Sequence, residues 1–139
     1  MARVLTYLTF NGNCREAMTF YHECLGGNLF LQEIGESPMA ADMPEEMHKN
    51  ILHSFLELKN SEFMASDSMD PAQYNLGNAH GMTLDCESED EIKEYFAALS
   101  AGGEATMPLE ETFWAKQFGM LTDKFGICWM LNLAKEDQS

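Results

Sequence analysis

The chain says the same thing twice. A shift of 76 residues lays Gly26-Gly27 on Gly102-Gly103, Phe20 on Phe96 and Leu8 on Leu84. Self-similarity over such a length constrains the fold more than any composition, because each copy must be one supersecondary unit with its own apolar face to bury. In the first copy Arg3 to Phe10 (RVLTYLTF) alternates as a strand does, and the NGN of residues 11–13 ends it in a turn. Cys14 to Leu25 places Ala17, Met18, Tyr21 and Leu25 at helical spacing, Gly26-Gly27 stops that helix, and Asn28 to Ile34 reads as the next strand. The pattern returns with a strand at Gly81 to Cys86. There Ser88 and Glu91 predict a capping box, Ile92, Tyr95, Phe96 and Leu99 an apolar stripe, and Gly102-Gly103 the stop before a strand at Glu104 to Met107.

Each copy then closes with a strand pair. Ile51 to Lys59 and Glu62 to Asp67 are joined by an Asn-Ser turn, and Lys116 to Thr122 and Ile127 to Leu133 by the four residues DKFG. Each half therefore reads β-α-β-β-β. This predicts an α+β fold, one domain over residues 1–139 with modules at about 1–69 and 80–134. Gly35 to Asn50, rich in Met, Glu, Ala and Pro, is expected to be an irregular, mobile insertion. Asp70 to Ala79 reads as the linker, and Lys135 to Ser139 as a frayed tail.

Charge removes several classes of partner. With 23 acidic against 8 basic residues the formal net charge is -15, which repels phosphate backbones and anionic lipid. Nucleic acid and membrane surfaces are therefore not expected partners. The N-terminus MARVLTYLTFNGNC has no long apolar core of the signal-peptide kind, and no stretch approaches the ~18 apolar residues of a membrane span. Cys14, Cys24, Cys86 and Cys128 form no C-x-x-C pair, so reduced thiols and a cytoplasmic location are expected. Eleven methionines suit core filling or an adaptable pocket wall. There is no phosphate-binding glycine loop and no serine-nucleophile elbow.

FNGNCREAMTFYHECLGGN in the first module, LHSFLEL and MASD after it, and TFWAKQFGMLTDKFGICWMLN in the second together resemble the vicinal oxygen chelate superfamily. That group holds glyoxalase I, extradiol dioxygenases and bleomycin-resistance proteins, and the likeness falls on its PhnB-like branch. The resemblance implies two four-stranded mixed sheets curled around a small-molecule cavity, helices outside, and a homodimer. Some relatives carry a demethylubiquinone methyltransferase label, but no S-adenosylmethionine loop is visible in this sequence.

The superfamily's metal enzymes hold a divalent ion with His, Glu or Gln from four strands. Strand parity assigns those four positions here to Leu5, Met64, Gly81 and Met130, none a ligand for a hard or borderline divalent ion. No metal and no other cofactor is expected on this register. A one-residue slip, bringing in Thr6 or His80, would change that expectation.

The same parity names the candidate site. His53, Phe55 and Glu57 share one face of ILHSFLEL, opposite Leu52, Leu56 and Leu58, and that face is assigned to the cavity. His53 is a candidate general base or ligand-orienting donor, or else a histidine bonded into the wall; Glu57 is the other catalytic candidate. The two stand four strand residues apart, roughly 13 Å, too far to share one ion. Tyr7, Met64, Thr83, Asp85, Met130 and Asn132 are assigned inward, the polar ones to hold a ligand or to bond one another. Trp114 and Phe118, just before a strand, are candidates for stacking on a planar ligand or for a hairpin or dimer contact. His22 and His48 are expected in solvent, and His80 in a structural or rim position. Three readings follow: metal-independent small-molecule binding, an enzyme, or a protein whose dimer surface matters more than its cavity. The enzyme would be a metal-dependent lyase, isomerase or dioxygenase type, or a metal-free catalyst using His53.

Overall fold

The computed structural model describes residues 2–136. The chain packs as two compact units, Met1–Leu76 and Gly77–Ser139. In the first, β1 (Thr6–Phe10) leads into α1 (Cys14–Leu25), β2 (Asn28–Glu33), β3 (Ile51–Glu57) and β4 (Glu62–Asp67). In the second, β5 (Met82–Cys86) leads into α2 (Glu89–Ser100), β6 (Glu104–Glu110), β7 (Ala115–Thr122) and β8 (Cys128–Ala134). The sheet orders are β1-β4-β3-β2 and β5-β8-β7-β6, the same order twice. In each, the first strand lies parallel to the last, and the remaining pairs are antiparallel. These are the two mixed four-stranded sheets that the resemblance implied.

Alternation decides what each sheet buries. Leu8 and Phe10 of β1, Ser54 and Leu56 of β3, and Phe63 and Ala65 of β4 are buried, while their neighbours Tyr7, Thr9, His53, Phe55, Met64 and Ser66 are not. α1 adds Ala17, Met18 and Tyr21, all fully buried, with Tyr21 edge-on to Phe63 at 5.9 Å. In the second unit Trp129, Leu131, Leu133 and Leu121 make the core with Ile92 and Leu99 of α2. The parity read from the sequence is observed except at the head of β3, where a register irregularity buries Ile51 and leaves Leu52, expected on the core face, half-buried.

The glycine pairs do more than stop a helix. Gly26 and Gly102 take positive φ, 76° and 77°, where an L side chain is strained. Their partners are excluded by collision. A Cβ on Gly27 would stand 2.3 Å from the Glu57 carbonyl oxygen, and one on Gly103 2.2 Å from that of Thr122. In both units the chain re-enters the sheet by pressing bare backbone against the end of the third strand.

Two buried carboxylates hold the elements in place, one per unit. Asn13 gives α1 no side-chain cap. Instead Asp67, at the end of β4, accepts from the Cys14 backbone N–H (2.9 Å) and the Ile51 N–H (2.8 Å), tying the helix start to the head of β3. Asp123 begins the DKFG turn and accepts from the N–H groups of Phe125 (2.8 Å) and Ile127 (3.0 Å) and from the Trp129 indole (2.9 Å).

Several expectations are corrected. β1 starts at Thr6, not Arg3, because its partner β4 has no residue to pair before that point except Glu62. β6 runs on to Glu110, past the expected Met107: as an edge strand it tolerates Pro108, at the cost of two register irregularities. Ser88 caps α2 by accepting from Glu91 N–H, but the Glu91 carboxylate accepts from Glu87, not Ser88, so the expected capping box is not closed. Residues 35–50 are not shapeless. They hold single-turn 3-10 helices and are pinned by His48, whose Nε2 lies 2.9 Å from the Ala40 carbonyl and 3.2 Å from that of Met43. His48 is thus half-buried rather than solvent-facing, and so is His22, whose Nδ1 lies 3.3 Å from the Gly26 carbonyl. Of the expected tail, Lys135 reaches Glu111 at 3.8 Å, and residues 137–139 lie outside the described residues.

Asp123→Ala leaves three N–H donors, two of them buried, without their acceptor, and should lower the unfolding free energy by about 3 kcal/mol. The measurement is a urea midpoint shifted at unchanged slope. A loss well under about 1 kcal/mol would show that Asp123 is not what holds this turn.

Candidate functional site

The face of each sheet turned away from its helix carries the candidate residues. In the first unit register sets Tyr7 beside Met64, Met64 beside Phe55, and Phe55 beside Phe30, a row crossing all four strands. Cross-strand partners point the same way, so these form one apolar line. Phe30 and Phe55 stack at 5.2 Å and 23°. Tyr7 is 49% exposed and Phe30 45%, large apolar groups left uncovered by their own unit. His53 lies one position along on the same face, its ring 6.1 Å from that of Phe55, and pairs across strands with Gln32.

Glu57 does not join them. Phe55 stands between it and His53, and Glu57 opens at the other end of β3 into a polar concavity of about 570 Å³. There Asn28 approaches its carboxylate at 3.4 Å and Arg3 pairs with Glu62 at 3.7 Å. The two catalytic candidates are therefore in different surroundings, one aromatic and one polar and ionic.

In the second unit Thr83 pairs with Met130, Met130 with Met120, and Met120 with Met107. One step along, Asp85 pairs with Asn132 and Asn132 with Phe118. Asn132 Nδ2 donates to Asp85 Oδ1 at 3.0 Å, so these two satisfy one another. Trp114 packs edge-on to Phe118 at 5.3 Å, and Phe113 edge-on to Trp114 at 4.9 Å. Trp114 precedes β7 as expected, but Phe118 lies within it. The strand begins at Ala115 because Thr112 Oγ1 accepts from the Trp114 and Ala115 N–H groups and closes the turn ahead of it. Phe30, Met107 and Met120 were missed, although alternation with the buried Leu121 would have shown Met120.

Donor chemistry at the superfamily's metal positions can be tested directly. Leu5 precedes β1, and Gly81 precedes β5 beside Cys128, its ideal Cβ 3.7 Å from that of Cys128. Met64 and Met130 face the uncovered side, opposite Tyr7 and Thr83. None offers imidazole or carboxylate, so these positions do not fit a hard or borderline divalent ion. His80 is an exposed residue outside the strands. Among the described residues no group of three or more His, Cys, Asp or Glu is placed to hold a metal ion. No helix of the described residues is long and apolar enough to cross a membrane.

The thiols divide by environment. Burial pushes Cys14 up to about 12, against a smaller opposing effect of its contact with Ser54. Burial, and then the charges of Glu91 and Asp85, push Cys86 to about 12 as well. Each raised value means the fold favours the protonated thiol: the stabilisation is whole below the ordinary value of 9.0 and is lost as the pH climbs from there through about 12. A thiol-specific disulfide reagent at pH about 8 should therefore modify Cys24 and Cys128 first, leaving Cys14 and Cys86 for alkaline pH or denaturant. Rapid native modification of Cys14, read by peptide mass mapping, would contradict this.

Residues 2–132 match the family model described as 3-demethylubiquinone-9 3-methyltransferase. Protein YjdN of Escherichia coli strain K12 is 36% identical over 139 residues, covering 94% of each chain. The crystal structure of protein PA1353 from Pseudomonas aeruginosa superposes with a TM-score of 0.87 at 40% identity, covering 98% of this chain and 100% of that one. A putative 3-demethylubiquinone-9 3-methyltransferase, PhnB protein, from Bacillus cereus superposes with a TM-score of 0.77 at 29% identity, covering 96% and 100%. The fold is also shared with a glyoxalase/bleomycin resistance protein/dioxygenase family enzyme from Burkholderia phytofirmans PsJN, covering 96% and 100%, with a TM-score of 0.64 at 16% identity. The chain belongs to this 3-demethylubiquinone-9 3-methyltransferase family, the PhnB-like branch of the vicinal oxygen chelate superfamily.

Proposed function

We propose that this PhnB-like protein binds a small, largely apolar and planar molecule on its uncovered sheet faces, without the superfamily's divalent ion. The observation that carries the reading is the row Tyr7–Met64–Phe55–Phe30. Four large apolar side chains, two of them stacked, lie on the side of the sheet that α1 leaves open. A sheet with one helix needs only one apolar face; a second one, half exposed, is surface kept for a contact. His53 at the edge of the row gives an orienting hydrogen bond to a polar substituent. In the second unit Trp114 and Phe118 offer a stacking edge beside the Asp85–Asn132 pair. The acidic surface suits neutral or cationic ligands over anionic ones. The metal-free part rests on donor chemistry, since Leu5, Met64, Gly81 and Met130 supply no ligand for such an ion. We also take the protein to act as a homodimer in the cytoplasm.

Calorimetry against a panel of planar aromatic compounds tests the reading. Phe55→Ala should weaken the best ligand by about tenfold, the size of one lost aromatic contact. His53→Ala should weaken only ligands bearing a polar substituent. If none of Phe55→Ala, His53→Ala and Trp114→Ala changes any binding, the sheet faces are not the site. Stoichiometric Zn, Ni, Mn or Fe in protein purified without chelator would overturn the metal-free part. Saturable binding of S-adenosylmethionine would replace the binding reading with the enzymatic one in the family's description.

A further inference from the structure

Three methionines stand in one row of the second sheet. Met107 on β6 pairs with Met120 on β7, and Met120 with Met130 on β8. Neighbouring strands lie about 4.8 Å apart and cross-strand partners share a face, so the three side chains rise from one short line. It is the face that α2 does not cover, for the flanking residues Gly119, Leu121, Trp129 and Leu131 are buried on the other. A Cβ on Gly119 would meet Phe96 of α2 at 2.8 Å, which fixes that parity independently. Cys128 stands on the same face, two residues before Met130 and opposite Thr122. Met107 is 45% exposed, and Met120, Met130 and Cys128 are half-buried.

These sulfurs are not needed to fill the core. Aliphatic side chains would serve as well for a merely apolar wall, and would be the better β-formers there. What a thioether adds is a soft, polarisable lone pair on a side chain with three rotatable bonds, so outer sulfurs can swing toward a central one. Thioethers and thiolates select monovalent copper over the hard cations that carboxylates and carbonyls prefer. A net charge of -15 favours cation approach without adding a hard ligand to the row.

We propose that Met107, Met120 and Met130, with Cys128 beside them, form a site for a soft monovalent cation of the Cu(I)/Ag(I) class. The site shares Met130 with the four positions assigned to the divalent ion, but it draws its donors from one sheet and asks for sulfur, not for the imidazole or carboxylate that Leu5 and Gly81 fail to furnish. It lies on the same uncovered face as the second unit's stacking edge, but it does not rest on the row Tyr7–Met64–Phe55–Phe30 that carries the organic-ligand reading, so either can fail while the other holds.

Silver(I), which needs no reductant, is the probe, added as nitrate in chloride-free buffer to the full chain. A Cys24→Ser background removes the competing half-buried thiol outside the row. With methyl-labelled methionine, the Met107, Met120 and Met130 signals should shift together and saturate at one equivalent, while those of the exposed Met39 and Met69 stay still. Changing all three to leucine is close to volume-conserving and keeps the fold; it should abolish the saturable binding, which Zn(II) should not reproduce in the parent protein. Equal shifts at Met39 and Met69, undiminished silver binding in the triple leucine variant, or loss of binding in Cys128→Ser alone with no methionine shift in the parent, would each overturn the proposal.

Discussion

One carboxylate decides what the second unit shows to the outside. Asp123 takes three N–H groups, that of Phe125 within the turn, that of Ile127 beyond it and the indole of Trp129, and so fixes where β8 starts against β7. Side chains on a strand alternate with period two, so one residue of slip would bury Met130 and Asn132 and expel Trp129 and Leu131. Everything said of the uncovered face, from the Asp85–Asn132 bond to the row of thioethers, depends on that start. The first unit meets the same problem from another place. There Asp67, at the end of its last strand, holds the helix start and the head of β3 together. The two units share a topology and yet pin it with carboxylates at different points, one at the end of the fourth strand and one just after the third.

Packing accounts for why the helices sit where they do. Tyr21 and Met18 of α1, and Ile92 and Leu99 of α2, are fully buried against the sheet face whose residues are also buried. That side is closed and specific. The opposite side of each sheet is built from half-buried and exposed residues, with aromatics and thioethers among Thr, Gln and Asn. Such a mixture makes a poor core and a serviceable binding surface, because polar groups there are either paired with one another, as Asp85 and Asn132 are, or open to a partner.

Much of this was legible in the chain. The shift of 76 residues marked the repeat, the glycine pairs marked both helix stops, and alternation in LTF, MTLDC and CWMLN set which side each strand buries. The hydrogen bonds of single carboxylates were not legible. Nothing local marks Asp67 as the cap of a helix 53 residues earlier, since the pairing exists only once the sheet has formed. The insertion misled for the same reason: Met, Glu, Ala and Pro look shapeless until His48 gathers two carbonyls. At the candidate site, parity placed His53 and Glu57 on one face, as found, but could not show that Phe55 and the Arg3–Glu62 pair give them separate neighbourhoods. The third methionine of the row was hidden by β6, whose proline and register irregularities blur alternation.

The glycine pairs carry a consequence for how such a chain drifts. Their two members look equivalent in sequence but face different obstacles. Gly26 has open space around its missing side chain, but its φ of 76° and ψ of -149° fall where essentially only glycine goes. Gly27 and Gly103 face carbonyl oxygens at distances no side chain survives, and neither charge nor size can be traded against that. Across generations both glycines of the first pair are held, the first by its backbone angles and the second by a φ of 81° and by collision together. A duplicated module worn past recognition would still betray itself by a glycine pair at the entrance to its second strand.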